Sequence, residues 1–175
     1  AGIGLLSKMG IEFLEDDEII QDPKPRDFEF INRVKINEDF KKINKKILID
    51  TTIPLLGEKN AFKVFGPQKG LINKQIKFIE ENIERIFALL GKELGDNLNP
   101  FKEGTGASGG LSFALSEVLG CEVISGPEFF LNETNVFKKI NKYETLILCE
   151  GKFDFSSMNG KVLGEILKIH SGNGY

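Results

Sequence analysis

Apolar residues recur at Ile76, Ile79, Ile83, Phe87 and Leu90, three or four positions apart, with charged residues between them. That spacing predicts one long amphipathic helix over 74–94, begun after Asn73 and stopped by Gly95. Elsewhere the period changes. Lys46-Ile47-Leu48-Ile49-Asp50 is an unbroken apolar run of strand length, which predicts a strand buried on both faces. Thr145-Leu146-Ile147-Leu148-Cys149-Glu150 predicts a second fully apolar strand. Shorter elements fill the intervals: a helix over 3–9 closed by Gly10, a strand over 11–14 entering the acidic turn Glu15-Asp16-Asp17, and a strand over 122–124. Residues 28–36 alternate and predict either a strand or a short helix. Helices are predicted over 111–119, 129–140 and 160–169. Proline and glycine mark 21–25, 51–70 and 100–110 as loops. Strands alternating with helices predict an α/β fold with a mixed or largely parallel sheet and flanking helices.

Composition narrows the function classes. The 175 residues carry a net charge of −3, so nothing predicts the basic footprint of a nucleic-acid-binding protein. The paired lysines Lys41-Lys42 and Lys45-Lys46 read as a solvated edge. The single histidine, His170, argues against a histidine-based triad or a multi-histidine metal centre. The two cysteines, Cys121 and Cys149, fit no ligand spacing or disulfide scaffold, and point to a reducing compartment. No apolar stretch has the length of a membrane span, so the expectation is a cytoplasmic protein with no membrane partner.

Three segments have the residue types for chemistry. Asp50 and Glu150 each close an apolar strand, and Asp154 follows shortly after. Ligands of open parallel sheets sit beyond the carboxyl ends of strands, where carboxylates either bind Mg²⁺, accept a proton from a substrate hydroxyl, or merely cap a turn. Gly104-Thr105-Gly106-Ala107-Ser108-Gly109-Gly110 is rich enough in glycine either to form an anion-binding nest or to allow tight helix packing. Its G-x-G-x-x-G string lacks the preceding strand of a dinucleotide site, and no Walker A sequence occurs. Lys69, in Phe65-Gly66-Pro67-Gln68-Lys69-Gly70, sits just before the long helix. A cation is disfavoured there unless an anion joins it, so Lys69 is either an anion ligand or an exposed turn lysine.

These segments resemble the motifs of bacterial glycerate kinases. Asp50…Pro54-Leu55 followed by Val64-Phe65-Gly66-Pro67-Gln68-Lys69-Gly70 is similar to that family's acid, Asn-Pro-Leu and Val-Phe-Gly-Pro-Gln-Lys-Gly segment. Gly104 to Leu111 resembles its glycine-rich loop. Glu150-Gly151-Lys152-Phe153-Asp154, with Gly160-Lys161, resembles its Gly-Glu-Gly-Arg-x-Asp segment and trailing Gly-Lys. The resemblance implies a two-domain α/β kinase that uses ATP and Mg²⁺ to phosphorylate glycerate. Residues 1–143 would be mainly the smaller, inserted domain, and 144–175 the return into a larger Rossmann-like domain. It implies Asp154, Glu150 and Asp50 as catalytic groups, with Asp154 and Glu150 on the metal. Lys69, Gly106, Ala107, Ser108, Gly109, Gly110, Lys152 and Lys161 would hold phosphate or substrate, with the division among the cations open. A homodimer is a further expectation. The chain would be the central part of the enzyme, folding at least in part on its own but inactive in isolation. Ile53, Cys149 and Lys152 stand where the family has Asn, Gly and Arg, and Ser156-Ser157 where it has Gln-Thr. Those departures motivate an alternative, a non-catalytic ligand-binding or regulatory module on the same scaffold.

Overall fold

In a computed structural model the chain is described over residues 1–38, 40–43, 45–140, 142–143, 145–149, 151 and 162–172. It opens with helix α1 (Ile3–Lys8), which buries Ile3 and Leu6 against the first strand. Strands β1 (Ile11–Glu15), β2 (Glu18–Ile19) and β3 (Arg33–Ile36) form an antiparallel sheet in the order β2-β1-β3. Ile11 pairs with Ile36 and Phe13 with Val34, so the face these four share is apolar until Glu15 and Glu18 end it at the turn. The β1–β2 turn is held by Asn32. Its side-chain oxygen accepts from the Asp16 amide, and its amide group donates to the Asp16 carboxylate, each at 2.8 Å.

Residues 28–36 were open between strand and helix, and only the last four become β3. The long helix decides this. Its Arg85 donates to the carbonyls of Phe28, at 2.8 Å, and of Ile31, so the preceding stretch spends its acceptors on a guanidinium rather than on a sheet ladder. That helix, α3 (Asn73–Leu94), buries Ile76, Ile79, Ile83, Ile86, Phe87 and Leu90, and Gly95 ends it in the left-handed conformation at φ 66°. The 51–70 loop also holds a helix, α2 (Ala61–Phe65). Asn60 caps it by accepting from the amides of Phe62 and Lys63 at 3.0 and 3.1 Å. A 3₁₀ turn over Pro67–Lys69 follows.

A parallel pair stands apart from the antiparallel sheet. Strand β4 (Lys46–Ile49) runs beside β5 (Glu122–Ser125), with Ile49 opposite Ser125. Helix α4 (Ala107–Phe113) leads through a π turn (114–118) into β5, and helices α5 (Gly126–Glu133), α6 (Val136–Ile140) and α7 (Val162–Gly172) complete the order. The α/β class holds, in its mixed form. Two details of the expectation do not. The run 46–50 is not buried on both faces, since Leu48 is 52% exposed. Residues 145–149 carry no regular structure, because a strand needs a ladder partner and no described strand lies beside them.

Candidate active site

β4 ends at Ile49, and the chain continues extended past Asp50 alongside the glycine-rich loop. The two are laced together. The amides of Gly104 and Gly106 donate to the carbonyls of Thr52 and Ile53, each at 3.0 Å. Buried Thr105 accepts from the Leu55 amide at 3.0 Å and donates to the Lys102 carbonyl at 2.6 Å. The seam requires glycine. A Cβ on Gly106 would lie 2.6 Å from the Pro54 carbonyl and 2.7 Å from the Ala61 side chain.

Beyond the seam the backbone reverses its hand. Ser108, Gly109 and Gly110 take φ values of 51°, 66° and 91°, a left-handed turn at the start of α4. Glycine adopts this freely, whereas Ser108 does so at a cost of roughly 1–2 kcal/mol. The turn sorts the predicted nest. The amides of Gly106, Ala107 and Gly110 already donate to the carbonyls of Ile53, Gly104 and Gly106. Ser108 is exposed, and no atom lies within 4 Å of where a Gly109 side chain would begin. The loop therefore shows the close packing offered by its sequence at Gly104, Gly106 and Gly110, and open space at Ser108 and Gly109.

A cleft of about 290 Å³ lies between β4 and α4, and Asp50, Ala107, Ser108 and Ser112 line it together with aliphatic side chains. Asp50 is exposed and makes no ion pair among the described residues. On the other side of the end of β4 a smaller pocket of about 180 Å³ is lined by Thr51, Thr52, Glu103, Gly104 and Ser125. The smaller pocket lies at the carboxyl ends of the parallel pair, and the cleft runs along β4 and reaches the same end at Asp50, the usual ligand position in open α/β sheets. Lys69 closes the 3₁₀ turn over Pro67–Lys69 and is exposed. The structure thus brings Asp50, Ala107 and Ser108 to one cleft, which Lys69 does not line. The other expected groups, Glu150, Lys152, Asp154 and Lys161, lie outside the described residues.

Sequence reading missed Thr51, Thr52, Glu103 and Ser125. Ser125 was within reach, because a serine before Gly126-Pro127 at a strand end is an N-cap signal, and its hydroxyl accepts from the Glu128 amide at 3.4 Å. Asn60 before Ala61-Phe62 carried the same signal for α2. Among the described residues no three His, Cys, Asp or Glu side chains cluster as a metal site, and no helix is long and apolar enough to cross a membrane.

A mixed α/β layer with small clefts beside a parallel strand pair, one walled by a glycine-rich helix start, defines an α/β protein of the open-sheet class. The chain belongs to the Glycerate kinase family, whose profile matches residues 1–174. It is 29% identical over 163 residues to a glycerate kinase of Halalkalibacterium halodurans, covering 91% of this chain and 43% of that protein. It is 33% identical over 117 residues to the glycerate 2-kinase of Escherichia coli K12, covering 67% of this chain and 30% of that one. A solved structure from Salmonella typhimurium LT2, assigned as glycerate kinase 2, superposes with a TM-score of 0.70 at 22% identity. That match covers 99% of this chain and 47% of the other, and it shows the shared fold. The chain spans less than half the length of the curated relatives it matches.

Proposed function

We propose that this chain is the central part of an ATP-dependent glycerate kinase, which transfers a phosphoryl group from ATP to a hydroxyl of glycerate. The observation that carries the reading is that Asp50 and the Ala107–Ser108 start of the glycine-rich loop, remote in sequence, line one cleft beside β4. Family membership supplies the reaction. Phosphoryl transfer depends chiefly on positioning and electrostatics. Asp50 orients the attacking hydroxyl and accepts its proton as the new P–O bond forms. Ser108 and the open backbone at Gly109 meet an anionic group, and Lys69 supplies positive charge in the same reading. Glu150, Asp154, Lys152 and Lys161 complete the site in this reading, and 144–175 form the return into the larger domain.

Mg²⁺ belongs to the same proposal. The carboxylates at this end of β4, Asp50 and Glu103, are the hard oxygen donors such an ion takes, and Glu150 and Asp154 would hold it. When bound it would neutralise charge on the transferring phosphate. Both thiols are free, which suits the reducing cytoplasm proposed for it. A homodimer is tested by light scattering on the complete protein. The non-catalytic alternative loses part of its motive in the structure. Ile53 acts through its carbonyl, which receives the Gly106 amide, and any side chain leaves that bond available.

The test is turnover of D-glycerate with ATP and Mg²⁺ by the complete protein. Replacing Asp50 by Asn should lower kcat about 10²-fold or more, as loss of a proton acceptor does. No turnover of glycerate, with turnover of other hydroxy-acids, overturns the substrate. The isolated 175-residue chain should show no activity; a rate within about tenfold of the complete protein's, a factor worth only ~1.4 kcal/mol of barrier, would overturn its placement as an incomplete part of the site.

A further inference from the structure

Asn60 is 0% exposed, and both ends of its side-chain amide are fully engaged. Its Oδ1 accepts from the amides of Phe62 and Lys63 at 3.0 and 3.1 Å. Its Nδ2 donates to the Gly57 carbonyl at 2.7 Å and to the Glu80 carboxylate of α3. Capping α2 requires only the accepted bonds, which a serine or an aspartate would make as well. The two donated bonds go further and tie the start of α2 to the loop before it and to the long helix. Lys63 reaches the same two places, its Nζ 3.2 Å from the Gly57 carbonyl and 3.4 Å from the Glu80 carboxylate. The next residue along, Ala61, packs under the glycine-rich loop. Its amide donates to the Pro54 carbonyl at 2.9 Å. That carbonyl and the Ala61 side chain lie only 2.6 and 2.7 Å from where a Gly106 side chain would begin. Gly106 leads directly into Ala107 and Ser108 on the wall of the cleft.

We infer that Asn60 is a positioning residue for the reaction: held by Glu80, it fixes the cradle of Pro54 and Ala61 in which Gly106 sits, and so sets where Ala107 and Ser108 meet the substrate. The inference rests on the proposed glycerate kinase reading and deepens it. A buried amide with all four bonds made has one orientation, and the cradle it holds has one as well. Rate depends steeply on such placement, since a shift of about 1 Å in a positioning group costs on the order of 10²-fold.

The two sets of bonds can be separated in the complete protein. Asn60→Ser keeps an acceptor for the α2 cap and removes both donated bonds. It should lower kcat/KM for D-glycerate about tenfold, part of that cost, and quicken hydrogen exchange of the 104–106 segment, whose Gly106 amide donates to the Ile53 carbonyl. Asn60→Asp also keeps the cap but sets a carboxylate against Glu80, and should lose at least as much. Adding Glu80→Gln to Asn60→Asp restores a donor and an acceptor with their direction reversed, while Lys63 still serves the Gly57 carbonyl. This double variant should regain most of the lost kcat/KM. Val34→Ala is the control, a cut at a 1% exposed residue of the antiparallel sheet. It should lower the melting temperature and leave kcat/KM and the 104–106 exchange unchanged. Wild-type kcat/KM in Asn60→Ser would show that the residue only caps α2, and overturns the inference. An equal loss in Val34→Ala, unchanged exchange at 104–106 in Asn60→Ser, or no recovery in the double variant overturns it as well. If the wild-type complete protein turns over no glycerate, the functional reading fails and takes the inference with it. Normal wild-type turnover with an unaffected Asn60→Ser removes the inference alone.

Discussion

The antiparallel sheet seals its inner face, while the parallel pair leaves its own open. Ile11, Phe13 and Val34 on β1 and β3 are at most 1% exposed, covered by α1, α3 and the π turn, and they join one cluster that reaches Leu55, Phe113 and Leu119. On β4 the residues alternate between exposed and half-buried, although every one from Ile47 to Ile49 is aliphatic. A separate small cluster, Leu131, Ile140 and Ile166, gathers α5, α6 and α7 beyond β5. Parallel strands are normally covered on both sides, so the open pair is where a ligand or further protein can reach the sheet. Stability is thus concentrated in one region and the candidate chemistry at the rim of the other. Proteins commonly place their binding segments at the less consolidated end of the structure.

The largest blow to that contrast is a cut in the sealed region. Phe113 is fully buried and stacks on Phe87 with ring centroids 4.0 Å apart. Phe113→Ala should destabilise by about 3–5 kcal/mol in urea denaturation. A cost under about 1 kcal/mol, far below that range, would mean that the core is not consolidated there.

The seam between the regions comes next. Gly106→Ala places a methyl group against the Pro54 carbonyl and the Ala61 side chain, and should cost about 1–3 kcal/mol while displacing the loop and lowering glycerate turnover. Gly109→Ala meets open space and carries only the left-handed backbone penalty, about 1 kcal/mol. Its effect should appear in ligand affinity more than in stability. Equal losses of stability at the two positions would refute the division of the loop into a packed half and an open half.

On the exposed side the expected effect is small. Ile147 is 83% exposed, and Ile147→Ser should change the stability of the isolated chain by no more than about 0.5 kcal/mol. The same substitution in the complete protein measures whether the remaining sequence covers this segment. A larger loss there would show that it does.

The smallest effect is a titration. The hydrogen bond and charge of Lys8, 2.5 Å away in an exposed pair, hold Asp22 below the ordinary carboxylate value of 3.8. Because the folded pKa is depressed, the pair's contribution is complete above the unfolded value and is lost as pH falls through the folded one. Lys8→Met should raise the Asp22 pKa toward 3.8 in an NMR titration and barely move the melting temperature at pH 7. An unmoved pKa would show that the pair does not persist in solution.

Much of this was legible along the chain because its cause is local. The three-and-four spacing of α3, its glycine stop and the short strand over 11–14 each follow from local sequence, and the structure keeps them. Asp50, Lys69 and the glycine-rich loop stood out because few other residue types permit their chemistry, and the structure gathers Asp50 and Ser108 into one cleft. What the sequence could not determine depended on distant partners. An apolar run such as 145–149 has strand composition, but a strand exists only when another strand accepts its hydrogen bonds. The alternation of 28–36 was overruled by a guanidinium from α3, and the glycines of one short loop were divided between packing and opening by what Pro54, Ala61 and Leu55 placed against them. Ser112 carried no signal in the sequence at all. Only the packing of α4 on its neighbours left its hydroxyl buried without a partner among the described residues, because whether a polar group finds a partner is settled by neighbours in space and not by neighbours in the chain.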